Sequence, residues 1–346
     1  MFNKIFILSF FICGAGFAVN AETENRPEPK PAYIMPLAKS SLLTDIIAIN
    51  EHFLVAVGAR GHILLSHDGT TWQQTATPLQ SQLTSVFFIS GQKGWAVGHD
   101  SAILNTTDAG QSWHIQQFKP DPSTDKPLFD IYFKNENEGI AIGAYGAFYR
   151  TTDGGQHWEE EFHIELVSEE DQEYLLELQE TDPESYLIER SSVLPHFNRL
   201  YEEGGSLYIV GEAGFIAHSE DFGYSWNTFE PFYNGSLFDI NKTPDNHLIV
   251  VGLRGHVFRS TDDGESWQQV SIAEQATLNS VFTDQQGRIF ITGNAGTLLV
   301  SQDDGISFKN FSEADGKAIT NGTVSNGQLI LVTEIGIKHK AITKSE

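Results

Sequence analysis

Short apolar runs of about five residues recur along the chain, each ended by glycine or by a small polar cluster. Such runs, rather than long stretches with helical spacing, are typical of β-strands joined by tight turns. In one clear copy, the runs predict four strands at residues 84–89, 94–98, 102–106 and 113–118. Because the same order of runs repeats along the chain, the pattern predicts an all-β fold made from one repeated unit.

Each unit contains a turn that begins with glycine at the end of its second strand. These glycines are Gly58, Gly98, Gly143, Gly211, Gly252 and Gly293. They follow one another at intervals of 40 to 45 residues, except for 68 residues between Gly143 and Gly211. An interval near 40 residues suits a four-stranded propeller blade, and the long interval indicates an insert.

A second turn has the form Ser/Thr-x-Asp-x-Gly-x-x-Trp/Phe, and its first copy is one residue shorter. The carboxylate can accept hydrogen bonds from backbone N–H groups of its own loop, and the glycine permits a positive φ. We therefore interpret these residues as structural. The motif resembles the Asp-box, or bacterial neuraminidase repeat, which joins the third and fourth strands of a blade. Its acidic and aromatic positions are Asp68 and Trp72, Asp108 and Trp113, Asp153 and Trp158, Asp221 and Trp226, Asp262 and Trp267, and Asp303 and Phe308.

A seventh, incomplete unit follows the sixth, with strands predicted at 318–324, 328–333 and 337–342. Residues 32–37 resemble the fourth strand at 74–79, because both end in Pro-Leu. We predict that residues 32–37 pair with the C-terminal strands and close the ring, which removes exposed sheet edges. The sequence thus predicts a seven-bladed β-propeller over residues 32–346. Six blades is the alternative, if the last unit only caps the sixth.

An acidic insert, residues 159–195, interrupts the repeat. It holds 13 Asp or Glu residues between Glu159 and Glu189, with no Lys or Arg in that stretch. Ser168 with Asp171 resembles a helix capping box, and Asp182 followed by proline marks a second helix start. We predict two short helices. Because the insert lies in a connection between blades, it should rise on the face opposite the Asp-boxes, here called the insert face.

The charge and the N-terminus restrict location and partners. Asp and Glu number 46 against 21 Lys and Arg, a net charge of −25, which repels nucleic acid and anionic lipid. Residues 1–21 read as a signal peptide, with Lys4 before an apolar run too short for a comfortable transmembrane span. The only cysteine, Cys13, falls within it. We expect a linker at 22–31, no later membrane span, and a periplasmic or secreted monomer.

Polar residues of varied chemistry occupy equivalent repeat positions on the insert face. Varied side chains around one axis are typical of a propeller binding site, and a partner protein would bind there. The alternative is structural: these side chains solvate the channel mouth and tie the inner strands together, as the matching positions of Asp45, Asp130 and Asp239 suggest. The candidate binding residues are Arg60, His99, Asp100, Asp130, Tyr145, Arg199, Glu212, Asp239, Arg254 and Asn294.

The chain has no recognisable catalytic signature. We find no metal-ligand spacing, phosphate-binding glycine loop or nucleophile elbow, so we expect no metal and no cofactor. Asp-box propellers include sialidases, but the Phe-Arg-Ile-Pro stretch usual in those enzymes is missing. A glycosidase needs two carboxylates at a defined separation, and any acidic propeller offers candidates. Our main hypothesis is therefore a non-enzymatic binding protein. A glycoside hydrolase or sialidase-like enzyme, or a glycan-binding lectin, is the alternative.

Two repeats carry a closer resemblance. Gly94-Trp95-Ala-Val-Gly98 precedes Thr-Thr-Asp-x-Gly-x-x-Trp113, and Gly139-Ile-Ala-Ile-Gly143 precedes a similar box ending at Trp158. These units resemble the photosystem II stability and assembly factor family. The resemblance implies an exported seven-bladed scaffold that engages an envelope or membrane protein. The acidic insert departs from the basic patch of that family, so the resemblance does not by itself carry the photosystem role over to this chain.

Overall fold

The computed structural model describes residues 27–120 and 126–341, which form seven small antiparallel sheets. This arrangement confirms the seven-bladed propeller and excludes the six-bladed alternative. The predicted signal peptide, Cys13 and the first half of the linker lie outside the described residues. Strands within each sheet follow one another in chain order, from the inner strand to the outer strand.

Six blades have four strands each. Blade 1 contains β1 (Leu43–Ala48), β2 (Leu54–Gly58), β3 (Ile63–Ser66) and β4 (Gln73–Gln74); blade 2 contains β5 (Leu83–Phe88), β6 (Gly94–Gly98), β7 (Ala102–Thr106) and β8 (His114–Gln117); blade 3 contains β9 (Leu128–Phe133), β10 (Gly139–Gly143), β11 (Phe148–Thr151) and β12 (Glu159–Glu160). Blade 4 contains β13 (Phe197–Glu203), β14 (Ser206–Gly211), β15 (Ile216–Ser219) and β16 (Asn227–Thr228); blade 5 contains β17 (Leu237–Lys242), β18 (Leu248–Gly252), β19 (Val257–Ser260) and β20 (Gln268–Val270); blade 6 contains β21 (Leu278–Thr283), β22 (Ile289–Gly293), β23 (Leu298–Ser301) and β24 (Lys309–Asn310).

Blade 7 has three strands, β25 (Ile319–Ser325), β26 (Gln328–Thr333) and β27 (Gly336–Ala341). The prediction that residues 32–37 supply its fourth strand is wrong. Ala32 N donates to Thr77 O at 3.0 Å and Met35 N donates to Gln74 Oε1 at 2.8 Å, so this segment lies along blade 1. Pro31 and Pro36 have no N–H to donate, which limits the segment as a ladder partner.

Side chains close the ring between blade 7 and blade 1, a contact we call the closing seam. Thr320 Oγ1 donates to Leu43 O at 2.7 Å, and Ser325 Oγ donates to Glu51 O at 2.6 Å. The same threonine bond recurs between blades 1 and 2, where Thr44 Oγ1 donates to Leu83 O at 2.7 Å. The closing seam therefore uses a device of the repeat, without a strand shared between the two ends.

The core lies between neighbouring blades. Every residue of the second strand is buried in β2, β6, β10, β18 and β22. A sheet covered on both faces needs continuous apolar strands, which explains runs such as Leu248–Gly252. Trp95 of blade 2, for example, is fully buried and stacks on Phe133 of blade 3 with ring centroids 3.5 Å apart.

The Asp-box turns share one hydrogen-bond pattern. In blade 5, Ser260 Oγ donates to Asp262 Oδ1 at 2.7 Å and accepts from Gly264 N at 2.9 Å. Asp262 Oδ1 also accepts from Ser266 N at 2.9 Å. The three bonds recur in blades 2, 3, 4 and 6. These turns form the face opposite the insert face, here called the Asp-box face.

The insert forms two helices, α1 (Glu169–Thr181) and α2 (Pro183–Arg190), as predicted. The side chain of Ser168 accepts from Asp171 N and caps α1, whereas the side chain of Asp182 accepts from Ser185 N and caps α2. Leu175 is fully buried in a cluster that includes residues of blades 3 and 4. This contact fixes the helical pair to the propeller beside the junction of those two blades.

Candidate functional site

Five blades carry a Gly-x-x-Gly turn between the second and third strands, and these turns form much of the insert face. The third residue of each turn has a left-handed backbone, with φ between 53° and 58°. Alanine occupies this position in two blades, so the backbone shape belongs to the repeat and the side chain can vary. The residues are Arg60, Tyr145, Ala213, Arg254 and Ala295.

Tyr145 anchors an aromatic cluster between blades 3 and 4. It is 46% exposed, and the ring of His196 meets its ring nearly at a right angle, with centroids 4.6 Å apart. Phe129 lies 5.9 Å from His196 on another side, and His196 Nδ1 is 3.4 Å from Glu212 Oε1. The structure therefore brings two candidate residues, Tyr145 and Glu212, together through a histidine.

Sequence reasoning missed His196 and Phe129. Neither belongs to the Gly-x-x-Gly turn, and neither aromatic recurs at its position in every blade. The available signal was local. Phe129 stands directly before Asp130, where three other blades have a threonine that bonds to the next blade, so a half-buried ring replaces that hydrogen bond.

The insert adds a groove next to this cluster. The groove encloses about 220 Å³ between α2 and blade 3. Its lining includes Tyr145, Phe162, Leu187 and Arg190, and the Arg190 guanidinium lies 5.3 Å from the Phe162 ring centroid. Leu187 is largely exposed, and Lys126, Glu160 and Glu161 also line the groove, so its surface combines aromatic, aliphatic and charged side chains.

A closed ring of polar side chains surrounds the propeller axis, one from the inner strand of each blade. Asn321 Nδ2 donates to Asp45 Oδ1 at 2.6 Å, and Ser85 Oγ joins Asp45 and Asp130 at 3.1 and 2.8 Å. Arg199 Nε lies 3.5 Å from Asp130 Oδ2 and 3.2 Å from Asp239 Oδ1. Ser280, which interacts with the Asp239 side chain, donates to Asn321 Oδ1 at 2.8 Å and completes the ring.

Six of the seven axis-ring residues, all except Arg199, are buried, and this burial perturbs the carboxylates. Burial raises the pKa of Asp130 and of Asp239, and the positive charge of Arg199 opposes that rise. Each carboxylate also accepts from the backbone of the next blade: Leu200 N lies 2.8 Å from Asp130 Oδ2, and Val281 N lies 2.8 Å from Asp239 Oδ2. The ring groups thus hold inner strands together, as in the structural alternative considered above.

The remaining candidate residues are distributed around the rim. Arg60 and Arg254 are exposed on blades 1 and 5, and neither forms an ion pair within the described ranges. On blade 2, Asp100 accepts from Ser81 Oγ and the neighbouring His99 N donates to Gln82 O. On blade 6, Asn294 Oδ1 accepts from Asn279 Nδ2 at 3.1 Å. The structure therefore places these residues in separate local contacts rather than in one cluster.

Residues 27–120 and 126–341 contain neither a metal-binding cluster nor a membrane-spanning helix. No group of three or more His, Asp or Glu side chains is placed there to hold a metal ion. Within the same ranges, no helix combines the length and apolar character that crossing a bilayer requires.

These observations define the class of the protein: a single-ring Asp-box β-propeller with a helical insert. A family model described as photosynthesis system II assembly factor YCF48 matches residues 25–122 and 64–159. A search of curated protein sequences found no match. The chain is thus an Asp-box propeller that resembles the photosystem II assembly factor family, as the repeat motifs indicated.

Solved structures give the same fold. YCF48 bound to a D1 peptide aligns with a TM-score of 0.66 at 21% identity, covering 92% of this chain and 96% of that chain. YCF48 from Cyanidioschyzon merolae gives 0.65 at 17% identity, covering 90% and 98%. The WD40 propeller domain of Doa1 gives 0.62 at 13% identity, covering 89% and 95%. At these identities the likeness concerns the fold.

Proposed function

We propose that this protein is an exported, non-enzymatic scaffold that binds a segment of an envelope or membrane protein through its insert face. The solved YCF48 propeller holds a peptide, and we propose a ligand of the same class here. Export rests on the signal-peptide pattern of residues 1–21.

Tyr145 carries the proposal. An exposed tyrosine on a rigid turn, backed by His196 and bordered by the α2 groove, has the character of an interface anchor. Aromatic residues in such positions contribute a large share of binding energy in protein interfaces. The turn is fixed by the repeat, so little conformational entropy is lost when a partner covers the ring.

The test is in-cell cross-linking from a photo-reactive residue at Tyr145, followed by mass spectrometry. The matched control is the same residue at Ile306, which is exposed in an Asp-box turn on the other face. We expect one dominant envelope or membrane protein from position 145 and not from position 306. Equal capture at both positions would contradict a role of the insert face.

Catalysis is tested separately with a panel of glycans. The axis carboxylates already accept backbone hydrogen bonds, so we expect no turnover. Hydrolysis that disappears in an Asp130→Asn variant, while the fold is retained, would replace the scaffold by the glycoside hydrolase alternative. Glycan capture without turnover would favour the lectin alternative.

Cell fractionation tests the location. We expect the full-length protein in the periplasm or medium, and a variant lacking residues 1–21 in the cytoplasm. Retention of both forms in the cytoplasm would contradict export.

A further inference from the structure

The Asp-box face has a groove between blades 1 and 2, remote from the insert face. It encloses about 610 Å³, within the range of roughly 300–1,000 Å³ for small-ligand sites. Leu65 and Ala109 supply its apolar surface. No Lys or Arg lines it; its polar lining includes His67, Asp68, Gln73 and Gln111.

Three other blade junctions show what fills the equivalent space. At each of these junctions, a side chain from the first blade donates a hydrogen bond to a backbone carbonyl in the Asp-box of the second blade. The carbonyl belongs to the residue directly after the box aspartate. Arg150 and Arg259 both stand directly before the box Ser or Thr of their own blade. The bonds are Gln116 Nε2 to Gly154 O at 2.9 Å, Arg150 Nη1 to Phe222 O at 2.9 Å, and Arg259 Nε to Asp304 O at 2.8 Å.

The junction of blades 1 and 2 lacks this donor. Leu65 stands where Arg150 and Arg259 stand, and the equivalent acceptor is Ala109 O. Thr75 Oγ1 crosses the junction but donates to Gln111 O, at 2.7 Å. Within the described part of the chain, no donor is hydrogen-bonded to Ala109 O. The groove therefore keeps the backbone acceptor, Ala109 O, but the side chain at the donor position is the apolar Leu65.

We propose that this groove binds the guanidinium group of an arginine presented by another protein. The internal repeats supply the precedent, because Arg150 places two guanidinium nitrogens on the carbonyls of Phe222 and Gly223. A planar guanidinium can bond a carbonyl and a carboxylate together, which a lysine ammonium does less well. Asp68 supplies the carboxylate in the same groove.

Electrostatics supports an arginine ligand. The backbone N–H of Thr71 holds the pKa of Asp68 well below its usual range, so this carboxylate stays charged at neutral pH. The net charge of −25 also attracts a basic partner. This ligand is independent of the proposed partner on the insert face, and either proposal can fail without the other.

The test is an NMR titration of the folded protein with acetyl-Gly-Arg-Gly-amide. We expect shifts concentrated at the backbone amides of Ala109, Gly110 and Gln111, and weaker shifts with the lysine peptide and with the citrulline peptide. Citrulline keeps the shape of arginine without its charge, so equal shifts with citrulline would overturn the proposal. Tighter binding of free arginine than of the peptide would overturn the assignment to a partner protein.

Variants make the test specific. Leu65→Arg supplies the guanidinium from within the chain and should abolish the peptide shifts, whereas Leu65→Met, of similar volume, should leave them unchanged. Gln73 is exposed at the groove, so its variants should fold. Gln73→Lys should weaken peptide binding roughly two- to fivefold and Gln73→Glu should strengthen it by a similar factor. Unchanged affinity in Leu65→Arg and in both Gln73 variants would exclude this groove.

Discussion

At the scale of single residues, one cation organises the propeller axis. Arg199 is the only basic member of a seven-residue ring that contains Asp45, Asp130 and Asp239. Buried carboxylates are costly unless a charge or hydrogen bonds compensate them. Arg199 compensates two of them at once, and its side chain is still 32% exposed to the channel.

Replacing Arg199 by methionine should therefore destabilise the fold. We expect a loss of roughly 2–4 kcal/mol, below the value for a fully buried pair because the arginine is partly exposed. The loss should be smaller near pH 4 than at pH 7, because Asp130 and Asp239 can then take up protons. Urea unfolding at both pH values measures this. Arg199→Lys, which keeps the charge, is the control, and an equal loss at both pH values would contradict the charge argument.

The Asp-box carboxylates stabilise the native protein in their ionised form, so acid should weaken their contribution to stability. The backbone N–H of His157 lowers the pKa of Asp153 to about 2. Burial raises the pKa of Asp221, but hydrogen bonds from Ser225 outweigh this effect, and the pKa is lowered to about 2. A carboxylate with a depressed pKa stabilises the fold above its ordinary value of 3.8, and this contribution is lost as the pH falls toward 2.

This predicts a pH-dependent difference between the native protein and Asp153→Asn. The native protein should be more stable at pH 6, and the difference should shrink between about pH 4 and pH 2. Unfolding in urea across that range measures it. Asp245→Asn, at an exposed position outside the Asp-boxes, serves as a comparison, and a difference that persists at pH 2 would show that the charge of Asp153 is unimportant.

At the scale of elements, Arg150 connects the insert to the propeller. Its Nε donates to Glu161 Oε1 at 2.6 Å, at the start of the insert, while its other nitrogens bond the Asp-box turn of blade 4. Leu175 then seals α1 against the same junction. The insert is thus held at its base and at one helix, and much of α2 remains exposed.

Replacing residues 168–191 by a short Gly-Ser linker should leave the ring folded. The deletion removes Leu175 but keeps Arg150, Glu161 and Leu194, so we expect a melting temperature lower by a few degrees with one cooperative transition. Partner capture from the Tyr145 position should be lost if α2 contributes to the surface. Loss of cooperative melting would instead mean that the insert is required for folding.

The sequence predicted the blades and the two helices better than it predicted how the propeller ring closes. Gly-x-x-Gly turns and Asp-boxes repeat, so the blades could be counted, and Ser168 and Asp182 marked the helix starts. The Pro-Leu match of residues 36–37 identified a connection rather than a strand, because the likeness of side chains said nothing about which blade the segment would lie against. The axis ring was recognised by position, but its bonds depend on seven residues from seven blades meeting in space.

At the scale of the whole molecule, the closing seam differs from every other junction. Neighbouring blades elsewhere are joined both by the chain and by side-chain bonds, whereas blades 7 and 1 meet without a chain connection. Thr320 and Thr84 make the same bond, at the closing seam and between blades 2 and 3. Removing each of these two bonds therefore compares a junction without a chain connection, between blades 7 and 1, with a junction that has one, between blades 2 and 3.

Thr320→Val should loosen blade 7 selectively. We expect faster amide hydrogen exchange throughout β25–β27, because the lost bond lowers the free energy of local opening by about 1 kcal/mol. Thr84→Val removes the same bond between blades 2 and 3, and should leave exchange of those strands nearly unchanged. Similar acceleration at both sites would contradict a special role of the closing seam.

The closing seam also sets the order of events during biosynthesis. Its bonds join residues 43–51 to residues 320–325, so they cannot form until the strands of blade 7 are present. Contacts between such distant positions form slowly, since a long loop must close first. A chain truncated before blade 7 would keep the axis ring open at Asp45, so the last bonds of the circle form only after blade 7 has joined the other six blades.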